Sequence, residues 1–255
     1  MALVCILEDT SKVQGLFEGW EETLIWSCLQ KVMGSIYVTD PESPRSALAF
    51  VGCFGFFAGE PDRKLAENKP EGFAILVPGS EEWASLLESC YPDAEKATRY
   101  AIRKDTRFDR ERLRQEIDRL PEGYELRPID AEIYDLCLQD PVMRDFVAVF
   151  GSRERYLELG RGMVILKDGR IASGASSYTR YREGIEIEVD TAETERRKHL
   201  AAAACAALIL RCLDEGLYPS WDAQNMNSVR LAEKLGYELD HEYTVYLVSS
   251  DKRTH

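Results

Sequence analysis

The chain has 255 residues, 45% of them hydrophobic, and a formal net charge of −13. That length allows one large domain or two small ones around an ordinary core. The acidic balance argues against a general nucleic-acid binder, whose affinity rests on neutralising phosphates; it is ordinary for a soluble protein and suits one that draws in cationic substrates such as amines.

The first third reads as helix, strands and helix. Leu24, Ile25, Cys28, Leu29 and Val32 recur at helical intervals and predict a helix over Glu21 to Met33, stopped by Gly34. Ser35 to Thr39 and Ala47 to Phe57 read as strands about a Pro-containing loop. The apolar run at 47–58 is Gly-interrupted and shorter than the roughly 20 residues a membrane span needs, so it reads as a buried strand. Residues 60–71 are charged and turn-rich. Phe73 to Val77 is a short buried strand, Ser80 an N-cap for a helix through Ser89, and Ala97 to Lys104 another strand. A charged helix over Asp109 to Leu120 leads to Pro121-Glu122-Gly123, where a boundary is expected between a smaller α/β domain, 1–120, and a second, 121–255. One continuous domain with a wide sheet is the alternative.

The second part begins with a strand over Tyr124 to Pro128 and helices around 131–138 and 153–159. Met163–Leu166 and Arg170–Tyr181 form a hairpin on the turn Lys167-Asp168-Gly169, Asp-Gly being a strong hairpin signal. From Gly184, Ile185, Ile187 and Val189 alternate with Glu186, Glu188 and Asp190, which is strand periodicity. A polar turn follows, with Thr191 and Thr194 as candidate caps; Arg196, Arg197 and Lys198 then lead into an Ala-rich helix. Strand, basic turn and helix N-terminus together present free backbone N–H groups to an anion. A strand over Tyr218 to Ala223, a helix over Ser228 to Leu235 stopped by Gly236, and a strand over Glu242 to Val248 complete the chain.

In order and spacing these residues resemble the GNAT N-acetyltransferase superfamily. That family marks its pyrophosphate loop with Gln/Arg-x-x-Gly-x-Gly/Ala. Here the register gives Arg196, Arg197, Lys198, His199, Leu200, Ala201: the Arg and the Ala match, and His199 stands for the central Gly. Asn225, ahead of Leu235-Gly236-Tyr237, fits the family's spacing. The runs EIEVDT, YPSWDAQN and SVRLAEKLGY are similar to the GNAT branch related to the zwittermicin A resistance protein, and the resemblance reaches upstream through 73–83, 99–105 and 120–130. It implies an α/β (α+β) acyl-CoA N-acyltransferase fold with a mixed, mostly antiparallel sheet, preceded by the smaller α/β domain; because the first third also ends strand, helix, strand, a diverged half of the same fold is one reading of it.

The resemblance also implies acetyl-CoA as co-substrate, lying between the strand that ends at Asp190 and the strand at 218–223. Its pyrophosphate would sit on Arg196, Arg197, Lys198, His199, Leu200 and Ala201, beside Thr191. The Val189 N–H would polarise the thioester carbonyl. Asn225 would bond the pantetheine arm or cap its helix, and Ser228 would do one or the other. His199 either crowds the phosphates or donates a hydrogen bond to a phosphate or ribose.

An amine must lose a proton to react, so a base is needed. Glu186 and Glu188 lie on one face of a strand expected to be central, where carboxylates are costly unless they face a cavity or partner. Glu188, then Glu186, are the base candidates; binding a cationic substrate or facing solvent is the alternative. The family's Tyr acid falls on Ala232, so Tyr243 or Tyr246 is the substitute, although a thiolate also leaves unaided. Asp222 lines the substrate site or locks its strand's end, and Trp221 reads as core. Cys205 and Cys212 read as helix packing.

The expected reaction is direct acetyl transfer to a primary amine of a small molecule, with amino antibiotics suggested by the branch. A non-catalytic acyl-CoA-binding or regulatory module is the alternative, motivated by His199 and Ala232. Seven scattered cysteines without C-x-x-C spacing suggest reduced thiols and a cytoplasmic protein without a signal peptide. His199, His241 and His255 do not cluster with cysteines, so no metal is expected. Nucleic acid and membrane are not expected partners. A homodimer is left open, as is a substrate-binding or dimerisation role for the first part.

Overall fold

The structure, a computed structural model, describes residues 3–69 and 71–249. Its contacts divide the chain into two compact units, Met1–Arg99 with Glu242–His255, and Tyr100–His241.

The first unit contains β1 (Cys5–Ile6), a 3-10 helix (Thr10–Phe17), α1 (Thr23–Leu29), β2 (Ser35–Val38), β3 (Ser46–Val51), β4 (Phe54–Gly59), α2 (Arg63–Glu67), β5 (Ala74–Pro78) and α3 (Glu81–Cys90). Successive strands pair antiparallel, except β4 and β5, which run parallel. The end of the chain's last strand returns here, Tyr246, Leu247 and Val248 pairing with Leu76, Ile75 and Ala74. Leu48, Phe57, Leu65, Leu76, Trp83, Leu87 and Tyr246 make its core. Ser80 caps α3 as expected, its Oγ accepting from the Trp83 N–H at 3.2 Å.

Three local expectations change in this unit. The single strand expected over 47–57 is the hairpin β3–β4, turning at Gly52 with φ +59°. The charged stretch 60–71 contains α2, which Asp62 caps by accepting from the Lys64 and Leu65 N–H groups. The helix expected over 21–33 is confined to α1.

β6 (Glu95–Ile102) carries the chain into the second unit. There follow α4 (Arg110–Asp118), β7 (Glu125–Pro128), α5 (Ala131–Gln139), α6 (Asp145–Ala148), α7 (Arg153–Leu159), β8 (Gly162–Lys167), β9 (Arg170–Tyr181), β10 (Gly184–Thr191), a 3-10 turn (Glu193–Glu195), α8 (Leu200–Asp214), β11 (Tyr218–Ser220), β12 (Asp222–Ala223), α9 (Met226–Leu235) and β13 (Leu239–Val248). The boundary expected after residue 120 lies instead at Arg99–Tyr100. The reason is packing: α4 lies on α8 and buries Leu113 in the second unit's core.

The second unit's sheet has the order β11-β10-β9-β8-β7. All its pairs are antiparallel except β10 with β11. The Asp168-Gly169 turn forms as expected, both residues having positive φ. One face is covered by α8 and α9, with Leu200, Ala203, Leu208, Ile209 and Val229 against Ile185, Ile187 and Ala175. Each leucine, isoleucine or valine among them removed from water is worth roughly 1.5–3 kcal/mol. The other face carries α6, whose Phe146 approaches Gly174. Side chains alternate along a strand, so Ile185, Ile187 and Val189 meet α8 while Glu186, Glu188 and Asp190 look the other way.

The connections recur. β3, β4, α2, β5 and α3 follow the same order and strand directions as β9, β10, α8, β11 and α9. This is the topology a diverged half would have.

Candidate active site

β10 is paired with β9 along its whole length, from Gly184 to Thr191. Its pairing with β11 covers only Gly184, Ile185 and Glu186, opposite Tyr218, Pro219 and Ser220. After Ser220 the chain leaves it, and Asp222 and Ala223 pair with Ala101 and Tyr100 of β6. The expected strand 218–223 is therefore two strands with a change of partner at Trp221. Three contacts hold the departing segment: the Tyr237 hydroxyl donates to the Pro219 carbonyl at 2.6 Å, the Tyr181 and Ser220 hydroxyls meet at 3.0 Å, and the Trp221 indole donates to Ser228 Oγ at 3.1 Å.

Two backbone bonds fix which way each amide of β10 points. The Tyr218 N–H donates to the Glu183 carbonyl at 2.8 Å, and the Ala192 N–H donates to the Ala172 carbonyl at 2.9 Å. Alternation then directs the backbone groups of 185, 187, 189 and 191 to the β11 side and those of 188 and 190 to β9. The Thr191 N–H is taken by the Asp190 carboxylate at 2.6 Å, and the Thr191 hydroxyl meets Ser173 Oγ at 2.7 Å. Val189 is thus the residue whose N–H points out past the end of β11.

The carboxylates flank this edge on the face away from α8. Glu188 is half-buried and sits opposite Ser176. The Ser176 hydroxyl is fixed by the Tyr156 hydroxyl at 2.8 Å and by the Phe146 carbonyl at 2.7 Å. Glu186 is 5% exposed, between Thr179 and Ser220 in the ladder. Its charge adds to burial in raising the phenols of Tyr181, Tyr218 and Tyr237 above their ordinary range.

Beyond β10 the turn into α8 is left-handed twice, with φ +63° at Arg197 and +65° at His199. His199 is the N-cap residue, yet its side chain makes no capping bond. The first helical bond is the Ala203 N–H to the His199 carbonyl at 3.2 Å, which leaves the amides of Leu200, Ala201 and Ala202 ahead of the ladder. Arg196, Arg197 and His199 are exposed beside them, and Lys198 is half-buried. An anion fits this end of a 15-residue helix on both counts, free donors and the dipole. In the first unit, α2 has five residues, and the Asp62 carboxylate already occupies its first amides.

Sequence reasoning missed the group that holds this loop. Glu195 accepts from Lys198 Nζ at 2.8 Å and from the Tyr124 hydroxyl, and Lys167 Nζ stands 3.6 Å from it. These donors, Lys198 first and Tyr124 second, depress the Glu195 carboxyl to about 2. Tyr124 directly precedes β7 and Lys167 ends β8, both far away in the chain, and no local pattern marks them. A second missed group lies on the other side: Lys234 Nζ is 2.5 Å from Glu116 Oε2 and 3.4 Å from His199 Nδ1.

Asn225 is exposed and caps α9, its Oδ1 accepting from the Asn227 and Ser228 N–H groups at 3.0 and 3.1 Å. Ser228 is engaged by Trp221, so both residues do local work in holding α9. Tyr246 belongs to the first unit. It is 2% exposed and donates its hydroxyl to Glu88 at 2.6 Å, and burial, foremost, pushes its phenol up to about 12. Ala232 is fully buried in the core of the second unit. Cys205 and Cys212 are buried too, with thiols raised by desolvation, as packing residues should be. Among the described residues, no group of three His, Cys, Asp or Glu could hold a metal ion, and no helix is long and apolar enough to cross a membrane.

The GNAT acetyltransferase family model matches residues 14–246. A GCN5-related N-acetyltransferase-like protein from Streptococcus suis 89/1591, of known crystal structure, is 50% identical, with a TM-score of 0.89 over 94% of this chain and 98% of that one. The Uncharacterized N-acetyltransferase YdfB of Bacillus subtilis (strain 168) is 25% identical over 243 residues, 88% of this chain and 89% of its own. A GCN5-related N-acetyltransferase from Kribbella flavida shares the fold at 16% identity, with a TM-score of 0.53 over 98% of each chain.

Proposed function

The chain belongs to the GNAT acetyltransferase family, and on that footing we propose that this N-acetyltransferase moves the acetyl group of acetyl-CoA to a primary amine of a small molecule by direct attack. The observation that carries the reading is the Val189 N–H, directed past the end of β11 with Glu188 beside it on the strand. Acetyl-CoA supplies an activated thioester. An extended pantetheine arm suits the open edge of β10, as a strand suits a sheet edge. The Val189 N–H would then meet the thioester oxygen and stabilise the charge that develops there.

Arg196, Arg197, Lys198 and the amides of Leu200, Ala201 and Ala202 are assigned to the pyrophosphate. Glu188 is assigned as the base that takes the proton of the incoming ammonium, directly or through water. It is preferred to Glu186 because it lies level with the open part of the edge and is less buried. The −13 net charge favours a cationic acceptor, and amino antibiotics belong among the amines to screen. Seven free thiols suit a reducing, cytoplasmic setting.

The test is Glu188→Gln. Turnover should fall about a hundredfold or more, with the acetyl-CoA dissociation constant unchanged. Unaltered turnover would refute the base assignment. His199 takes up the left-handed turn at φ +65°, a conformation that glycine adopts at no steric cost.

A further inference from the structure

We propose that His199 serves the cofactor loop as a neutral hydrogen-bond donor: Lys234 pins its Nδ1, and its Nε2–H is left to bind a phosphate oxygen of acetyl-CoA. The inference rests on the loop assignment made above and deepens it.

The tautomer follows from the partner. Lys234 Nζ is 3.4 Å from His199 Nδ1, at the long end of hydrogen bonding. An ammonium has donors only, so Nδ1 must offer its lone pair, and the ring proton then belongs on Nε2. Lys234 cannot readily turn to another acceptor, because Glu116 holds it from behind at 2.5 Å. The Glu116 side chain is only 6% exposed, and its other oxygen is bonded by Arg119 at 2.5 Å. A carboxylate at that depth needs its cations, so it fixes Lys234 as a charged group in one place.

The backbone supplies the rest. His199 is left-handed, and its ring is exposed at the N-terminus of α8 rather than folded back over the helix amides. A glycine there would offer a close backbone approach. The histidine instead offers a ring donor held by a neighbour on α9. Lys234 is a positioning residue that acts through the ring.

The experiment uses the full chain. Long-range ¹H–¹⁵N spectra of the three histidines, with His199→Asn to assign its signals, report the tautomer directly. The expected result is Nε2–H for His199 in wild type. Lys234→Met should give a mixture of tautomers and weaken CoA binding about fivefold, the scale of one neutral hydrogen bond. Lys234→Arg should restore both. An Nδ1–H ring in wild type, or a His199 spectrum unmoved in Lys234→Met, would overturn the proposal. If Lys234→Met does not fold, the wild-type spectrum decides. Failure of wild type to bind CoA at all would instead sink the functional reading, and the tautomer result would stand apart from it.

Discussion

Glu186 and Ser220 are the last residues to pair β10 with β11. Past them β10 keeps one neighbour, β9, and its other edge presents the Val189 N–H. The notch exists because β11 is only three residues long and the chain crosses to β6 at Trp221.

The two carboxylates should therefore separate by function. Glu188→Gln should lose about two orders of magnitude in kcat. Glu186→Gln, beside the paired half of the strand, should retain kcat within tenfold. Thiol release with a reactive amine acceptor measures both.

Gly184 allows β10 and β11 to meet. A Cβ there would lie 2.1 Å from the Tyr218 carbonyl oxygen, which is backbone and cannot give way. Gly184→Ala should cost about 3 kcal/mol of stability in urea denaturation, and it should impair activity by disturbing the root of the notch.

Asn225 offers a cleaner separation of structure from binding. Asn225→Ala should cost about 1 kcal/mol through loss of the α9 cap. Asn225→Asp keeps a capping oxygen and should keep the stability. If CoA binding nevertheless weakens in Asn225→Asp, the amide Nδ2 is a cofactor donor; if binding is unchanged, Asn225 is a cap alone.

Glu195 sets an acid limit. Its carboxyl is depressed from 4.5 to about 2 by Lys198 and Tyr124. A depressed carboxyl contributes stability that is complete above its unfolded value and lost as pH falls through the folded one. Urea midpoints of wild type and Glu195→Gln should differ above about pH 5 and converge as pH approaches 2.

Much of this was legible in the sequence where the signal was local. The alternation at 184–190, the Asp168-Gly169 turn, the caps at Ser80 and Asn225 and the stop at Gly236 are all written in neighbouring residues, as is the basic turn that leads into α8. What escaped depends on partners distant in the chain. The 218–223 segment reads as one strand because nothing local says that it changes neighbours. Tyr124 and Lys167 reach Glu195, and Glu116 reaches Lys234, only through the fold. The boundary was misplaced because Pro121-Glu122-Gly123 looks like a linker, whereas the packing of α4 on α8 decides where the unit begins.

The most direct measurement is amide hydrogen exchange, resolved by residue, along β10 with and without acetyl-CoA. The account predicts that the Glu188 and Asp190 amides, bonded to β9, are protected in both states, and that Val189 gains protection when acetyl-CoA binds. Binding that leaves the Val189 amide exchanging as before, with protection gained elsewhere in the chain, would contradict it.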